Sequence, residues 1–470
     1  MKFQNKLIFS DTETTGKDPK DFIQIIQSAS VVTDQNYNIQ DSMNVSCAPL
    51  PWVVPSPGAY LTHKKIETLS SSETHYQMMK TIHGQWKNWS NDDPALFITY
   101  NGHNFDEELY RRQFFWNLMD PFITNTNGNG RSDLLMLTRL VSQLFPKMID
   151  FEINANGHPV CSLSSVAERI GIDTANAHDA LSDCIFMIEL LNFFHLSAEK
   201  LVMDFLSQGT KKGCAEFLKN TKVIGYRYQP FARFWTYPIK FVGINPTNQN
   251  EAICVDLNYP VDEVLNLSYE EITKFLEKPF TESPFKIIRL NRSSGLADAN
   301  EFDFNFDCSM KELNSNAENY SRNEDWAEKV LVASTETEQR KWPKKNLIEE
   351  TIYEKFFDYE DKKLFEQFHN SKSLEEQLFI CKKFNDPRAK EFGYRILSQK
   401  NESDLPTELT SYYQELIRER WTSEGPWPSS SVCLKEAEEL IEDRSSPADL
   451  EIIQGVEQFI KNKIEVNAYG

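Results

Sequence analysis

The chain has 470 residues, 40% of them hydrophobic and 12% aromatic, which is too much for one core and predicts roughly three globular domains at about 150 residues each. Its net charge of -20, from 50 basic and 70 acidic residues, excludes a polybasic nucleic-acid coat but not an enzyme that gathers a few arginines in one groove. The eight cysteines contain no C-x-x-C pair, the N-terminus lacks signal-peptide order, and no apolar run of about 18 residues is present, so the expectation is a soluble, cytoplasmic protein with reduced thiols, no zinc and no membrane partner.

The first predicted strand is Leu7-Ile8-Phe9-Ser10-Asp11-Thr12-Glu13, followed by a turn at Gly16. Strand side chains repeat every second residue, so Leu7, Phe9, Asp11 and Glu13 share a face with the acids at its C-terminal end. Two like charges this close are tolerated mainly when a cation lies between them. Strands are predicted over Phe22–Asp34 and Asn44–Cys47, then a helix from about Ser71 through Trp86 and Trp89. Ala95 to Tyr100 suits a buried parallel strand, and a helix follows from about Phe105 to Leu118. Two more helices between Val160 and Phe194 are split at Gly171-Ile172-Asp173, and Cys184, Met187, Ile188 and Leu191 form a core stripe on the second. This alternation predicts a mixed α/β layer domain over residues 1–197.

From 198 to about 345 the texture changes. Val223–Tyr228, Phe231–Tyr237, Glu251–Leu257 and Phe285–Leu290 read as strands of a small β-barrel. The aromatic and basic run from Tyr226 to Phe241 suits either barrel core or a stacking surface, core being the better reading. From 346 to 470 the chain reads as helical. Thr351–His369 is amphipathic with Phe356, Phe357, Leu364, Phe365 and Phe368 as expected core, Asp386-Pro387 caps another helix, and further helices cover Thr407–Trp421, Leu434–Ile441 and Leu450–Ile464.

Three acidic clusters carry the chemistry. They are Asp11 with Glu13, Asp106 at the start of a helix after a central strand, and His178 with Asp183. Each is weak alone; in this order they resemble the DEDDh exonucleases. Positions five apart on a helix are rotated by about 140°, so His178 and Asp183 cannot share a face, and His178 is expected in the loop ahead of the helix. Four carboxylates offer hard oxygen ligands for two Mg²⁺ ions, with Mn²⁺ as a substitute. Asp11, Glu13 and Asp183 are expected to hold the main metal and Asp11 and Asp106 to help with the second, with His178 as base for the attacking water.

The motifs Asp11-Thr12-Glu13-Thr14-Thr15-Gly16, Tyr100 to Glu108 and Asn176 to Asp183 resemble bacterial exodeoxyribonuclease I. So do Leu290-Asn291-Arg292-Ser293-Ser294-Gly295-Leu296-Ala297, Ile352-Tyr353-Glu354-Lys355-Phe356-Phe357 and Asp386-Pro387-Arg388, so nearly the whole chain is covered. The resemblance implies an α/β RNase H-like exonuclease domain, an SH3-like β-barrel domain and an all-α C-terminal domain. It also implies Mg²⁺-dependent release of nucleoside 5′-monophosphates from the 3′ end of single-stranded DNA, roles in DNA repair and recombination, and docking of the acidic C-terminal tail of single-stranded-DNA-binding protein. A three-domain arrangement closing round one strand would let a monomer suffice. By position, Glu13, Thr62, Arg111, Phe122 and Arg139 match DNA-binding residues; for Arg111 and Arg139 the competing reading is a solvated helix face. One departure is the sequence Cys161-Ser162-Leu163, which places Ser162 where the family usually has an arginine. An RNA 3′ exonuclease and an inactive strand-binding module are the alternatives.

Overall fold

The computed structural model describes residues 4–229, 233–337, 344–399, 406–444 and 446–469. The expected strand residues Phe231 and Ala232, with Pro230 before them, lie outside that set. The N-terminal sheet is built from β1 (Lys6–Thr14), β2 (Ile25–Thr33), β3 (Ile39–Ser46), β4 (Ala95–Thr99) and β5 (Gly130–Asp133), in the order β3-β2-β1-β4-β5. β1 runs antiparallel to β2 and parallel to β4, and β4 runs parallel to β5. The helices of this region are α1 (Pro57–His63), α2 (His75–Ser90), α3 (Asp106–Trp116), α4 (Leu134–Leu144), α5 (Leu163–Arg169) and α6 (Ala180–Ser207).

Strand alternation sets the layers. Leu7 and Phe9 of β1 pack against Leu134, Leu137, Met187 and Leu191 on one face, while Ile8 packs against Met78, Trp86, Leu109 and Phe114 on the other. All nine residues of β2 are buried, as a strand covered by helices on both faces must be. The α2 start differs from expectation by a few residues because Thr74 and Gln77 form a reciprocal capping box that fixes His75 as the first helical residue.

α6 is long and apolar enough to cross a membrane by length and composition alone, although acids interrupt its apolar run. Its predicted stripe, Cys184, Met187, Ile188 and Leu191, is buried, and the Cys184 thiol lies 3.6 Å from the carbonyls of Phe9 and Ala29. It is therefore packed as the core helix of the first layer. Its backbone breaks at Ala198, beside the expected boundary at 197, and the chain continues helical to Ser207 and into α7 (Lys211–Asn220).

The second sheet contains β6 (Ile224–Tyr228), β7 (Trp235–Ile244), β8 (Glu251–Asp256), β9 (Phe285–Arg289) and β10 (Gly295–Asp298), all antiparallel in the order β10-β6-β7-β8-β9. The expected small barrel is thus a five-stranded antiparallel sheet, with no ladder joining β9 to β10 among the described residues. Four helices unexpected from sequence accompany it: α8 (Val261–Leu265), α9 (Tyr269–Glu277), α10 (Met310–Arg322) and α11 (Glu324–Ser334). They pack Leu313, Ala317 and Trp326 against Ile253, Val255 and Phe285, so one sheet face continues the first core. The opposite face covers Phe217 and Leu218 of α7.

The C-terminal helices are α12 (Tyr359–Asn370), α13 (Leu374–Lys383), α14 (Pro387–Leu397), α15 (Thr407–Thr422), α16 (Ser430–Asp443) and α17 (Pro447–Tyr469). α14 has the expected Asp386 cap and first-position proline. α12 is shorter than expected, because the Asp358 side chain caps the Asp361 amide and starts the helix there. Residues 351–358 are therefore non-helical, and Phe356, expected in the core, is 63% exposed. Phe365 and Phe368 are buried with Phe115 and Leu118 of the first layer. A separate patch joins Ile26, Val54 and Tyr60 to Trp421, Val456 and Ile460. The eight cysteines are free thiols.

Candidate active site

β1 ends at the site, and its alternation divides the acids. Oxygen atoms of Asp11, Glu13 and Asp183 lie within 4.8 Å of one another, a spacing suited to sharing one cation. Asp11 and Glu13 point to the face covered by α6, which delivers Asp183 from its first turns. Asp106, the first residue of α3, comes from the other face, where it accepts a hydrogen bond of 2.5 Å from the Thr12 hydroxyl. It stays close enough to Asp11 for their charges to interact.

The electrostatics are those of a site short of positive charge. Burial first, then the neighbouring carboxylates Asp106 and Asp183, raise the Asp11 carboxyl well above its ordinary range. Burial and the charge of Asp183 push Glu13 up to about 9. Asp106 and Asp183 rise to about 6, mainly through burial, with the Thr12 hydroxyl and the His178 charge respectively opposing the rise. Among the described residues, Lys65 is the cation that opposes the rise of Glu13, and its ammonium is held 2.6 Å from Asp179. Sequence reasoning missed Lys65, which no local motif marks.

His178 lies in the loop ahead of α6, exposed and at φ +67°, where the chain turns before the Asp179 cap. Its backbone N–H bonds the Asp183 carboxylate. Asp179 accepts from Gln27 at 3.1 Å and from the Ser182 amide at 3.2 Å, tying the loop to β2.

The other predicted residues ring this centre. Thr62 is exposed on α1, its hydroxyl donating to the Gly58 carbonyl at 3.0 Å. Arg111 is buried, not on a solvated face; it pairs with Glu108 at 3.2 Å and Glu107 at 3.9 Å, and its guanidinium lies 5.7 Å from the Phe122 ring centre. Phe122 meets Phe356 edge-on at 5.4 Å, and both line a groove of about 960 Å³. Arg139 is half-buried on α4, beside a separate cavity of about 390 Å³ that Ser162 also lines.

A second network, also missed from sequence, braces α3. His103 Nδ1 meets Glu107 at 2.8 Å, and Glu107 also pairs with Arg131, which donates to the Asn291 carbonyl. The Ser293 amide donates to His103 Nε2 at 2.8 Å, so the loop before β10 docks directly behind Asp106. Burial would raise the Glu107 carboxyl, but His103 and Arg131 hold it far below its usual range.

No family model matches the chain. A curated relative, exodeoxyribonuclease I of Buchnera aphidicola subsp. Schizaphis graminum, is 27% identical over 421 residues, covering 84% of this chain and 83% of its own length. The chain is a relative of bacterial exodeoxyribonuclease I. Its fold is that of solved exonuclease I structures. The Methylocaldum szegediense enzyme superposes with a TM-score of 0.79 at 21% identity, covering 98% of this chain and 99% of its own. The Escherichia coli enzyme, solved with a dA16 oligonucleotide, also gives 0.79 at 21% identity, over 98% of this chain and 100% of its own.

Proposed function

We propose that the chain is a Mg²⁺-dependent 3′-to-5′ exonuclease that releases nucleoside 5′-monophosphates from single-stranded DNA. The observation that carries this reading is the convergence of Asp11, Glu13 and Asp183 within 4.8 Å, with Asp106 alongside and, among the described residues, no cation to neutralise them except the engaged Lys65. The exodeoxyribonuclease I relatives and the oligonucleotide-bound E. coli structure support the choice of substrate.

Buried carboxylates in mutual repulsion are a donor set that fits hard divalent ions. Asp11, Glu13 and Asp183 would hold one ion and Asp11 and Asp106 the second, with Mn²⁺ able to replace Mg²⁺. Such a pair, when bound, neutralises the phosphoryl charge and stabilises the leaving oxygen. His178, exposed at the loop tip, takes the proton of the attacking water on a ring nitrogen. Thr12 fixes the rotamer of Asp106 through its hydroxyl, and the His103–Glu107–Arg131 network holds α3 against the second sheet. Glu13, Thr62, Arg111, Phe122 and Arg139 are assigned to the strand, Phe122 as a surface for a base and the arginines for phosphates. We extend the same reading to an SH3-like second domain at 198–345 between domains at 1–197 and 346–470. It also covers an acidic-tail partner on single-stranded-DNA-binding protein, and a monomer working in cytoplasmic DNA repair and recombination.

Digestion of single-stranded DNA labelled at the 5′ end, with Mg²⁺ and with EDTA, tests the reading. A ladder shortening from the 3′ end only with Mg²⁺ is expected. Faster loss of an RNA of equal length would make it an RNA exonuclease, and strand binding without shortening would make it an inactive binding module.

A further inference from the structure

Five arginines in the described residues are buried: Arg111, Arg131, Arg227, Arg395 and Arg420. Four of them pair with Glu107, Glu108 or Glu349. Arg227, on β6, does not. It is 5% exposed, and among the described residues it has no carboxylate partner. Its guanidinium lies 4.4 Å from the Phe234 ring centre and donates weakly to Gln143 at 3.4 Å and Gln229 at 3.3 Å. Arg139 is in a similar condition. Its guanidinium approaches the Met136 sulfur at 3.9 Å, and its Nε is sealed from solvent without a partner among the described residues.

The two guanidinium groups repel each other, and both oppose the rise that burial gives the Cys161 thiol. Burial, with Arg139 adding to it, pushes Arg227 down to about 10. Arg139 is half-buried with the Asp133 carboxylate acting on it, whereas among the described residues no carboxylate acts on the buried Arg227. Keeping the Arg227 charge out of water beside a like charge is costly, and the cost is recovered if an anion enters. The space for one is present. The cavity of about 390 Å³ is lined by Arg139, Cys161, Ser162, Gln229, Tyr100 and Asn101. Tyr100 and Asn101 follow the C-terminal end of β4, which runs parallel to β1, so the cavity lies at the same end of the sheet as the acids. Gln229 joins it to Arg227.

We propose that this cavity is a phosphate seat for the substrate strand, in which Arg227 from the second sheet acts with Arg139 beside Ser162. Sequence resemblance leaves position 162 short of an arginine, and Arg227 makes up the charge from a different element. The seat rests on the strand-binding part of the proposed function, but not on hydrolysis.

The test measures binding of a 5′-fluorescent oligothymidylate to the full chain by anisotropy in EDTA, alongside hydrolysis in Mg²⁺. Arg227→Gln is expected to weaken binding about tenfold, the loss of one charged hydrogen-bonding contact, and to reduce the salt slope by about 0.7. A single neutral methylphosphonate, walked along the strand from its 3′ end, should weaken the wild type by a similar factor at one linkage and weaken Arg227→Gln no further there. Ser162→Arg, added to Arg227→Gln, should restore affinity, which a structural role for Arg227 would not allow. Unchanged affinity in Arg227→Gln overturns the seat, as does a loss that adds to every methylphosphonate position or resists Ser162→Arg. A wild type that shows the linkage-specific loss but never hydrolyses DNA sinks the nuclease reading and leaves the seat standing. An active wild type with an indifferent Arg227→Gln does the opposite.

Discussion

Glu349 and Glu13 are both carboxylates taken out of water, in regions built on opposite electrostatic plans. At Glu349, where the C-terminal helices meet the first layer, Arg395 and Arg420 each donate at 2.7 Å, and Arg420 is stacked 4.0 Å from the Trp427 ring centre. Burial alone would raise the Glu349 carboxyl, yet the two arginines bring it below its usual range. At Glu13 burial and Asp183 act together, and the engaged Lys65 opposes them without cancelling them. The first plan uses its charge to hold elements together. The second leaves charge uncancelled and so keeps a place for a ligand of opposite sign. Arg139 and Arg227 repeat the second plan with the sign reversed.

The comparison breaks most sharply at Asp11. Asp11→Asn is expected to abolish DNA hydrolysis and, by relieving repulsion, to raise the thermal midpoint in EDTA; Mg²⁺ should raise the midpoint of the wild type and not of the variant. Calorimetry with and without Mg²⁺ reads both, and a lower midpoint in EDTA would mean that the acids stabilise the fold instead. His178→Ala should lower kcat by roughly 10² to 10⁴ while leaving strand affinity in place. Full hydrolysis with unchanged metal dependence would remove His178 from the mechanism.

At the compensated site the expected loss is of stability. Glu349→Gln leaves two guanidinium groups buried without an acid and should cost about 3–5 kcal/mol in urea denaturation, with hydrolysis per folded molecule unchanged. A cost under about 1 kcal/mol would put Glu349 in the class of surface pairs. The smallest effect expected is in pH. His75 accepts its place beside Gln113 at 2.8 Å and His369 beside Tyr76 at 2.8 Å as neutral rings, burial pushing both pKa values down to about 4. The unfolded chain takes up these protons near pH 6.5 and the folded chain does not. Their stabilisation is therefore complete above about 6.5 and lost as pH falls from there to about 4, by at most about 3 kcal/mol each. Melts between pH 7 and 4 should show the decline, and His369→Gln should flatten it.

Much of this protein is legible in local chemistry alone. Asp11 and Glu13 at the end of an apolar strand, Asp106 at a helix start and His178 in a loop ahead of Asp183 follow from periodicities of 2 and 3.6 and from the rule that clustered acids need a cation. The Cys184 to Leu191 stripe and the Asp386-Pro387 cap are equally local. Where expectation failed, the deciding interaction was distant or small. β5 has four residues, too few for a periodic signal, and exists because β4 offers it a parallel edge. Phe356 reads as core in an amphipathic run, and only the Asp358 cap, by shortening the helix, turns it outward. Helices α8 to α11 lie in a segment dominated by strand signals.

Pairing of charge was beyond the sequence altogether. Nothing in the chain order says that Glu349 meets Arg420, 71 positions away, or that Arg227 is left without an acid beside Arg139. Composition and spacing set which groups can ionise, ligate or cap, because those are properties of residues and near neighbours. Which charges are cancelled and which are left open to a ligand depends on what the fold brings within a few ångströms in a medium of low dielectric, and that was decided by the tertiary structure.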